Sequence, residues 1–504
     1  MEYRFRTEPF AHQLADFERS RDLPSWALFW ETGCAKTKPV IDTGAYLYEG
    51  GKVDGLVVIA PDIVHRGWVT RQMMGHMPER VLERCLAAPD PDDPDELLPG
   101  FVWNGDKVGN KGYKEALKAF LAAEEGLAVL ALTPASIMTE AGGKALKTFL
   151  ERRRCLLVLD EGHMFKSPGA ARTKRIRAAA HHAAYRRLLT GTPIDRSPFD
   201  IYAQLAFVDP DIWKRHGIAN FEGFQTQFGV FQIRGKKGAK IGKGAWVELV
   251  EYRNLPELHQ IVMSIGSRYL KRDVLDLPGK LYSVDEYELN SEQARVYRDL
   301  VKDYIAWLED GSQVTAELAI QRQTRLQQVC SGYIPADDEA ELRPLGENVR
   351  LKCLEKRIEA LDGAPAVIFA KYDIDVDCIK GLLGPDAVYF DGRTSAQDRE
   401  GAIQAFQYKR THRFFVGKAS CAGAGHDLFA ASRMVWYNNT YVYKDRVQGE
   451  DRIHRPGMGD EPATYFDLCA VGTIDSHIIE NLTTKRHLSA EVLGDGAPPP
   501  WIPR

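Results

Sequence analysis

The stretch LFWETGCAKTKPVIDT, residues 28–43, decides the fold. An apolar strand over 27–30 runs into a short loop, and TKPVIDTGAYLY then starts a helix. A loop that opens a helix turns free backbone N–H groups toward phosphate oxygens. Gly33, Ala35, Lys36, Thr37 and Lys38 are therefore the expected phosphate cradle of a nucleotide site. Lys36 would reach the β and γ phosphates, and the Thr37 hydroxyl would hold Mg²⁺. Ala35 stands where such loops normally carry glycine. A helix-start backbone with φ of about −60° accepts alanine, so a negative φ is predicted at Ala35, with the loop still able to hold phosphate.

Around this loop the chain alternates strands and helices. The apolar runs GLVVIAP (55–61), LAVLALTP (127–134), CLLVLDEGH (155–163) and RRLLTGTP (186–193) each end in a polar or turn-forming tip. Buried parallel strands read this way, with functional residues at their C-terminal ends. A second series follows in APAVIFA (364–370), AVYFDG (387–392), RFFVGKAS (413–420) and RMVWYNNT (433–440). The expected architecture is α/β, two parallel sheets flanked by helices. The first lobe is placed at 1–200 and an insertion and linker with a basic loop at 201–280. The second lobe is placed at 281–490, with helices from 284 and a helical insertion to 345, and an extended tail at 491–504. The acidic, proline-rich PDPDDPDELLPG (89–100) reads as a surface loop.

A chain of 504 residues exceeds one ordinary core, and 44% hydrophobic and 10% aromatic residues are those of a globular protein. A net charge of −4 excludes a uniformly basic polymer binder, so nucleic-acid contact must come from local patches. The eight cysteines form no Cys-x-x-Cys pair, which argues against a zinc knuckle and a disulfide framework and suits a reducing cytoplasm. No apolar signal region opens the chain and no run reaches 18 apolar residues, so a soluble protein in the cytoplasm is expected.

Two further elements bear on the phosphate loop. Asp160-Glu161 places adjacent carboxylates at a strand tip, costly unless they meet a cation or protons. Asp160 suits Mg²⁺ and Glu161 suits the water that attacks a γ-phosphate. Far along, VQGEDRIHRPG (447–457) sets Arg452 and Arg455 three apart, on one face of a predicted helix, where two guanidiniums could clamp a phosphate.

In this order the motifs resemble those of superfamily-two helicase-like ATPases, and in detail Swi/Snf-like DNA translocases. The resemblance runs from about residue 6 to 485. EPFAHQLADF (8–17) is similar to an adenine-reading motif with Gln13 as the base partner, and VIAPDIVHRGWVTR (58–71) to the motif ending in a tryptophan, here Trp68. LTPASI (132–137) is similar to a DNA-strand contact motif, DEGH (160–163) to Asp-Glu-x-His, KSPGAARTKR (166–175) to a basic extension, and LTGTPI (189–194) to a coupling motif. SRYLKRDVLDLPGK (267–280), LNSEQARVYRDL (289–300), RLQQVCSG (325–332) and QGEDRIHRPGM (448–458) favour the Swi/Snf-like branch. Asp427 and Met458 depart from the asparagine and glutamine that many members carry. The short insertions resemble phage or bacterial members.

The resemblance implies two tandem RecA-like lobes and DNA-dependent ATP hydrolysis with Mg²⁺, Lys36, Glu161, Arg452 and Arg455 being catalytic. It assigns Thr37 and Asp160 to the metal and His163, Gly191, Thr192 and Gln448 to coupling. DNA contacts, mostly to phosphate and independent of sequence, fall on Trp68, Arg71, Thr133, Ser136, Lys166, Arg172, Thr394, Lys418 and Ser420. The run at 234–243, with Lys236 and Lys237, reads equally as a basic hairpin on DNA or a solvated loop. Duplex or forked DNA is the expected partner of a monomeric chain, with replication or recombination proteins as further partners and no membrane. RNA unwinding, and ATP-gated clamping without turnover, are the competing functions.

Overall fold

The structure, a computed structural model, describes residues 3–241, 243–309, 316–335, 342–422 and 427–496. It divides into two compact units: Met1–Gly229, Tyr252–Asp276 and Glu491–Asp495 form the first, and Val230–Glu251 with Leu277–Ala490 the body of the second.

The first unit is built on a seven-stranded parallel sheet. Its strands are β1 (Ser25–Leu28), β2 (Gly55–Ile59), β3 (Phe101–Val102), β4 (Ala128–Leu132), β5 (Cys155–Asp160), β6 (Tyr185–Leu189) and β7 (Gly266–Ser267), in the spatial order β7-β1-β6-β5-β2-β4-β3. Every residue of β2, β4 and β5 is buried, as expected of strands covered on both faces. Helix α1 (Ala11–Ser20) packs beside α2 (Thr37–Glu49), which follows the phosphate loop. Pro39 fits the first turn of α2, where backbone N–H groups have no intrahelical partner.

The expected boundary at residue 200 moves. Helix α3 (Ile201–Val208) is buried along its whole length, and β7 adds a strand to the edge of β1. Residues 201–229 and 252–276 therefore extend the first core. The tail also reaches back within this unit: Asp495 takes a paired contact from Arg268, with Nε to Oδ1 at 2.8 Å and Nη2 to Oδ2 at 2.6 Å.

The second unit carries a six-stranded parallel sheet of β8 (Lys280–Tyr287), β9 (Ala366–Phe369), β10 (Ala387–Phe390), β11 (Phe414–Gly417), β12 (Arg433–Trp436) and β13 (Ala463–Ala470), ordered β8-β13-β12-β9-β11-β10. Residues 284–287, expected as helix, instead complete β8, which pairs with β13 over eight residues. Both strands mix charged and apolar residues, so neither shows the continuous apolar run that marks the inner strands. Helices Ser291–Glu309 and Ala316–Cys330 form the helical insertion.

Candidate nucleotide site

Strand register places the chemistry at one edge of the first sheet. Leu28, ending β1, aligns with Leu189, ending β6, and Leu189 aligns with Asp160, ending β5. Three loops thus leave the sheet side by side, beyond the carboxyl ends of its strands, where open parallel sheets bind ligands. They carry the phosphate loop, Asp160-Glu161 and Thr190-Gly191-Thr192. At Gly191 a Cβ would lie 2.5 Å from Thr32 Oγ1 and 2.9 Å from Thr32 N, so glycine is what lets these two loops touch.

The phosphate loop corrects one expectation. Ala35 has φ +55°, in the left-handed region, and Gly33 has φ +94°. The turn aims successive carbonyls at α1: Gln13 Nε2 donates to Ala35 O at 2.9 Å, and His12 Nε2 lies 3.0 Å from Cys34 O. A left-handed backbone costs an L-residue about 1–2 kcal/mol, so alanine is strained here. Ala35→Gly is expected to raise stability by about 0.5–1 kcal/mol, read as a higher urea midpoint at unchanged m-value.

Lys36 Nζ donates to Trp30 O at 3.0 Å and Glu31 O at 3.3 Å, resting on its own loop. Thr37 opens α2 and is half-buried. Lys38 leaves the expected phosphate set: its buried ammonium lies 2.7 Å from Asp42 Oδ2, which is i+4 on α2. Tyr3 donates to the other oxygen of Asp42 at 3.0 Å, which closes that network. Gln13 is buried and commits both amide ends to backbone, since Oε1 accepts from Phe10 N at 2.9 Å. Reading a base edge with both ends requires exchanging both bonds. An open pocket of about 390 Å³ lies beside it, lined by residues that include Phe10, Gln13, Ala35, Thr37, Gln72 and His76.

Asp160 is buried. Trp68 Nε1 donates to its Oδ2 at 2.8 Å, and Glu161 N donates to its Oδ1 at 2.9 Å. Burial first, and then the charge of Glu161, push its carboxyl up to about 6, while the Trp68 bond and Lys36 pull it down. Such a pair gains from a divalent cation, so these residues fit Mg²⁺. Glu161 has φ +52°, and its Oε2 lies 3.0 Å from His163 Nδ1. The same nitrogen lies 3.2 Å from Thr190 Oγ1, so His163 joins the two strand-end loops. Among the described residues five non-glycine positions have positive φ, and Ala35 and Glu161 are two of them. Concentrated backbone strain of this kind marks functional clusters.

Trp68, expected among the DNA contacts, is turned toward the nucleotide site instead. It is buried in a π-helical turn, Trp68–Met73, and orients Asp160. Partners that orient a metal ligand typically contribute 10- to 100-fold. Trp68→Phe keeps the ring and removes the donor. It is expected to weaken Mg²⁺ activation of hydrolysis by about tenfold, seen as a right-shifted Mg²⁺ titration at a temperature where the variant, which loses buried volume, remains folded.

Other expected DNA contacts divide. Arg71 and Arg172 are exposed, as is Ser420. Thr133 and Ser136 are buried and lock each other: Ser136 N donates to Thr133 Oγ1 at 3.0 Å, and Ser136 Oγ to Thr133 O at 2.8 Å. Their hydroxyls hold a turn and not a phosphate. Lys166 pairs with Asp195, and Lys418 Nζ lies 2.6 Å from Asp373 Oδ1, so both ammoniums are already matched. Thr394 Oγ1 accepts from Asp391 N at 3.1 Å. The side chains of Lys236 and Lys237 lie outside the described residues.

In the second unit, α4 (Tyr443–Glu450) ends before either arginine, so Arg452 and Arg455 sit in the turn beyond it and not on a helix face. Arg452 Nε donates to Gln448 O at 3.0 Å and Arg455 Nε to Asp451 O at 2.8 Å. Asp427 pairs with Arg455, which gives that departure from the resemblance a structural role.

Comparison with known proteins agrees with this geometry. The model of a family described as the SNF2-related domain matches residues 19–332, and that of the helicase conserved C-terminal domain matches 349–457. A probable chromatin-remodeling complex ATPase chain of Oryza sativa subsp. japonica is 26% identical over 354 residues, 68% of this chain and 30% of that one. DNA repair and recombination protein RDH54 of Saccharomyces cerevisiae is 25% identical over 365 residues, 68% of this chain and 36% of that one. The matches thus span about a third of the length of these relatives. The solved Sulfolobus solfataricus SWI2/SNF2 ATPase core in complex with dsDNA aligns over 99% of this chain and 95% of that one, at 20% identity and a TM-score of 0.40. These relatives are eukaryotic, and the phage affiliation finds no support in them.

Proposed function

Since the chain belongs to the SNF2-related family and is a DNA-dependent ATP hydrolase by that membership, we propose that hydrolysis moves it along double-stranded or forked DNA. The DNA it meets is remodelled by annealing, branch migration or displacement of bound proteins. The observation that carries this reading is the convergence of the phosphate loop, the Asp160-Glu161 pair and the Gly191 turn on one sheet edge. Lys36 and the N-terminus of α2 bind the phosphates, exchanging the lysine's present carbonyl partners for phosphate oxygens. Thr37 and Asp160 hold Mg²⁺, which when bound offsets charge developing on the phosphate oxygens. Glu161 orients and deprotonates the attacking water. His163 passes the state of that carboxylate to Thr190. Arg452 and Arg455 are read as the arginines that stabilise the transferred phosphoryl group.

The strained φ of Ala35 favours one second reading, an ATP-gated clamp without turnover. Hydrolysis measured with single-stranded, duplex, forked and four-way DNA and with RNA separates them. Stimulation by duplex or forked DNA is expected. Stimulation by RNA alone makes the chain an RNA enzyme, and nucleotide binding with no turnover on any nucleic acid makes it a clamp.

A further inference from the structure

Between β6 and β7 in the chain comes a hairpin of two long strands, Gly229–Ile241 and Lys243–Tyr252. They form a two-stranded sheet that pairs with no third strand among the described residues. Of the two expectations for the run at 234–243, hairpin and solvated loop, the strands show the hairpin. Its root is fixed by aromatic packing: Tyr252 meets Phe199 at 5.4 Å and Phe228 meets Phe224 at 4.8 Å, and Arg253 N donates to Phe228 O at 3.1 Å.

Two properties of the ribbon coincide. The first is charge. Arg234, Lys236, Lys237, Lys240 and Lys243 fall within ten residues that hold no acid, whereas the whole chain is net acidic. The second is exposed apolar surface. Phe231 is 37% exposed, Trp246 58% and Ile233 67%. A ribbon that only solvates a charge run needs none of these, and three large apolar side chains left in water on one short element mark a binding surface. A basic run without acids in the same hairpin as exposed aromatic rings matches one ligand chemistry, an anionic backbone carrying flat apolar bases. Paired bases already stack on both faces inside a duplex. Only an unpaired base has a face free to meet Trp246 or Phe231 without the cost of unstacking.

We propose that the 229–252 hairpin binds the unpaired strand of a DNA fork or junction, its cations following the phosphates and Trp246 and Phe231 stacking on bases. This rests on the reading of the chain as a DNA-dependent motor and adds to it the element that tells a fork from plain duplex.

The test uses the full chain and a Trp246→Ala/Phe231→Ala double variant, with circular dichroism and melting temperature confirming the fold. Affinity is measured at one fixed salt concentration for a blunt duplex, a single strand and a fork with two unpaired arms. Base stacking on an aromatic is worth roughly 1–3 kcal/mol, so the variant is expected to lose at least about fivefold in affinity for single strand and fork. Its affinity for blunt duplex should change by less than about twofold. In the unsubstituted chain, single strand should quench a fluorescence component that Trp246→Phe removes. Equal losses on duplex and fork, or no loss on either, overturn the hairpin assignment. If hydrolysis by the unsubstituted chain still responds to duplex in that case, the motor reading stands and only the hairpin falls. If no DNA stimulates hydrolysis at all, the motor reading falls first and takes this one with it.

Discussion

Glu161→Gln is expected to lower DNA-stimulated hydrolysis by about a thousandfold while nucleotide binding persists, a loss within the range for removing a positioned general base. Glutamine keeps the size of the side chain and its reach toward His163, and it cannot accept the proton of the attacking water. The residue is held for this task at a cost. Its backbone lies at φ +52°, and its carboxylate stands beside the buried Asp160. Neither feature helps the fold. A left-handed backbone is unfavourable for glutamate, and two adjacent carboxylates repel. Glutamine removes the second of these penalties, so Glu161→Gln is also expected to melt at or above the temperature of the unsubstituted chain. Phosphate release at saturating DNA, fluorescent nucleotide binding and a melting curve together decide the point. A variant that hydrolyses normally assigns the base elsewhere. One that loses binding as well shows Glu161 to be part of the fold of the site.

Much of this site was legible in the sequence, because parallel strands announce themselves as apolar runs and their functional residues stand at the tips. Asp160, Glu161 and Gly191 could be placed from that rule alone. What could not be read was which neighbour each side chain meets in the fold. Lys38 looked like part of the phosphate grip because it follows Lys36 and Thr37. On a helix, however, it meets Asp42 four residues on, and that pairing wins. Trp68 looked like a DNA contact by its place in a motif, yet its indole N–H finds Asp160 ninety-two positions away, a contact that no local pattern encodes. The φ of Ala35 failed for another reason. Helical geometry does not extend back to residue 35, since α2 begins at Thr37 and the loop before it turns to offer its carbonyls to α1. Strand β8 could be taken for helix because it mixes charged and half-buried residues and shows no continuous apolar run.

The second unit shows where removing a single carboxylate should cost most. Arg446 is buried, and Asp467 is its chief partner: Arg446 Nη2 donates to Asp467 Oδ2 at 3.0 Å and Nη1 pairs with Oδ1. Asn439 Nδ2 donates to the same Oδ1 at 2.7 Å, and Arg446 Nε donates to Glu450 Oε1 at 2.8 Å. The guanidinium also lies 4.7 Å from the ring of Trp436. Glu450 in turn accepts from Tyr282 at 2.9 Å, with Lys280 3.4 Å away. Burial alone would raise the carboxyl of Glu450, and Lys280, Arg446 and Arg486 together more than reverse that. Asp467→Ala leaves the guanidinium with one carboxylate and no solvent, and breaking a buried pair on one side costs about 3–5 kcal/mol. In a unit of this size that is a fall of roughly 10 °C in melting temperature. The double variant Arg446→Met/Asp467→Ala should recover part of the loss, because an apolar side chain needs no partner while Glu450, losing its Arg446 donor, keeps Tyr282 and Lys280, and the cycle measures the coupling between the two residues. A double variant no more stable than Asp467→Ala alone would show that the carboxylate serves Asn439 and the strand ends, and not the arginine. Asp467 touches neither Arg452 nor Arg455, so hydrolysis per folded molecule should fall far less than stability does. If hydrolysis instead drops in step at low temperature, where the variant remains folded, the network that fixes α4 also sets the arginines that follow it.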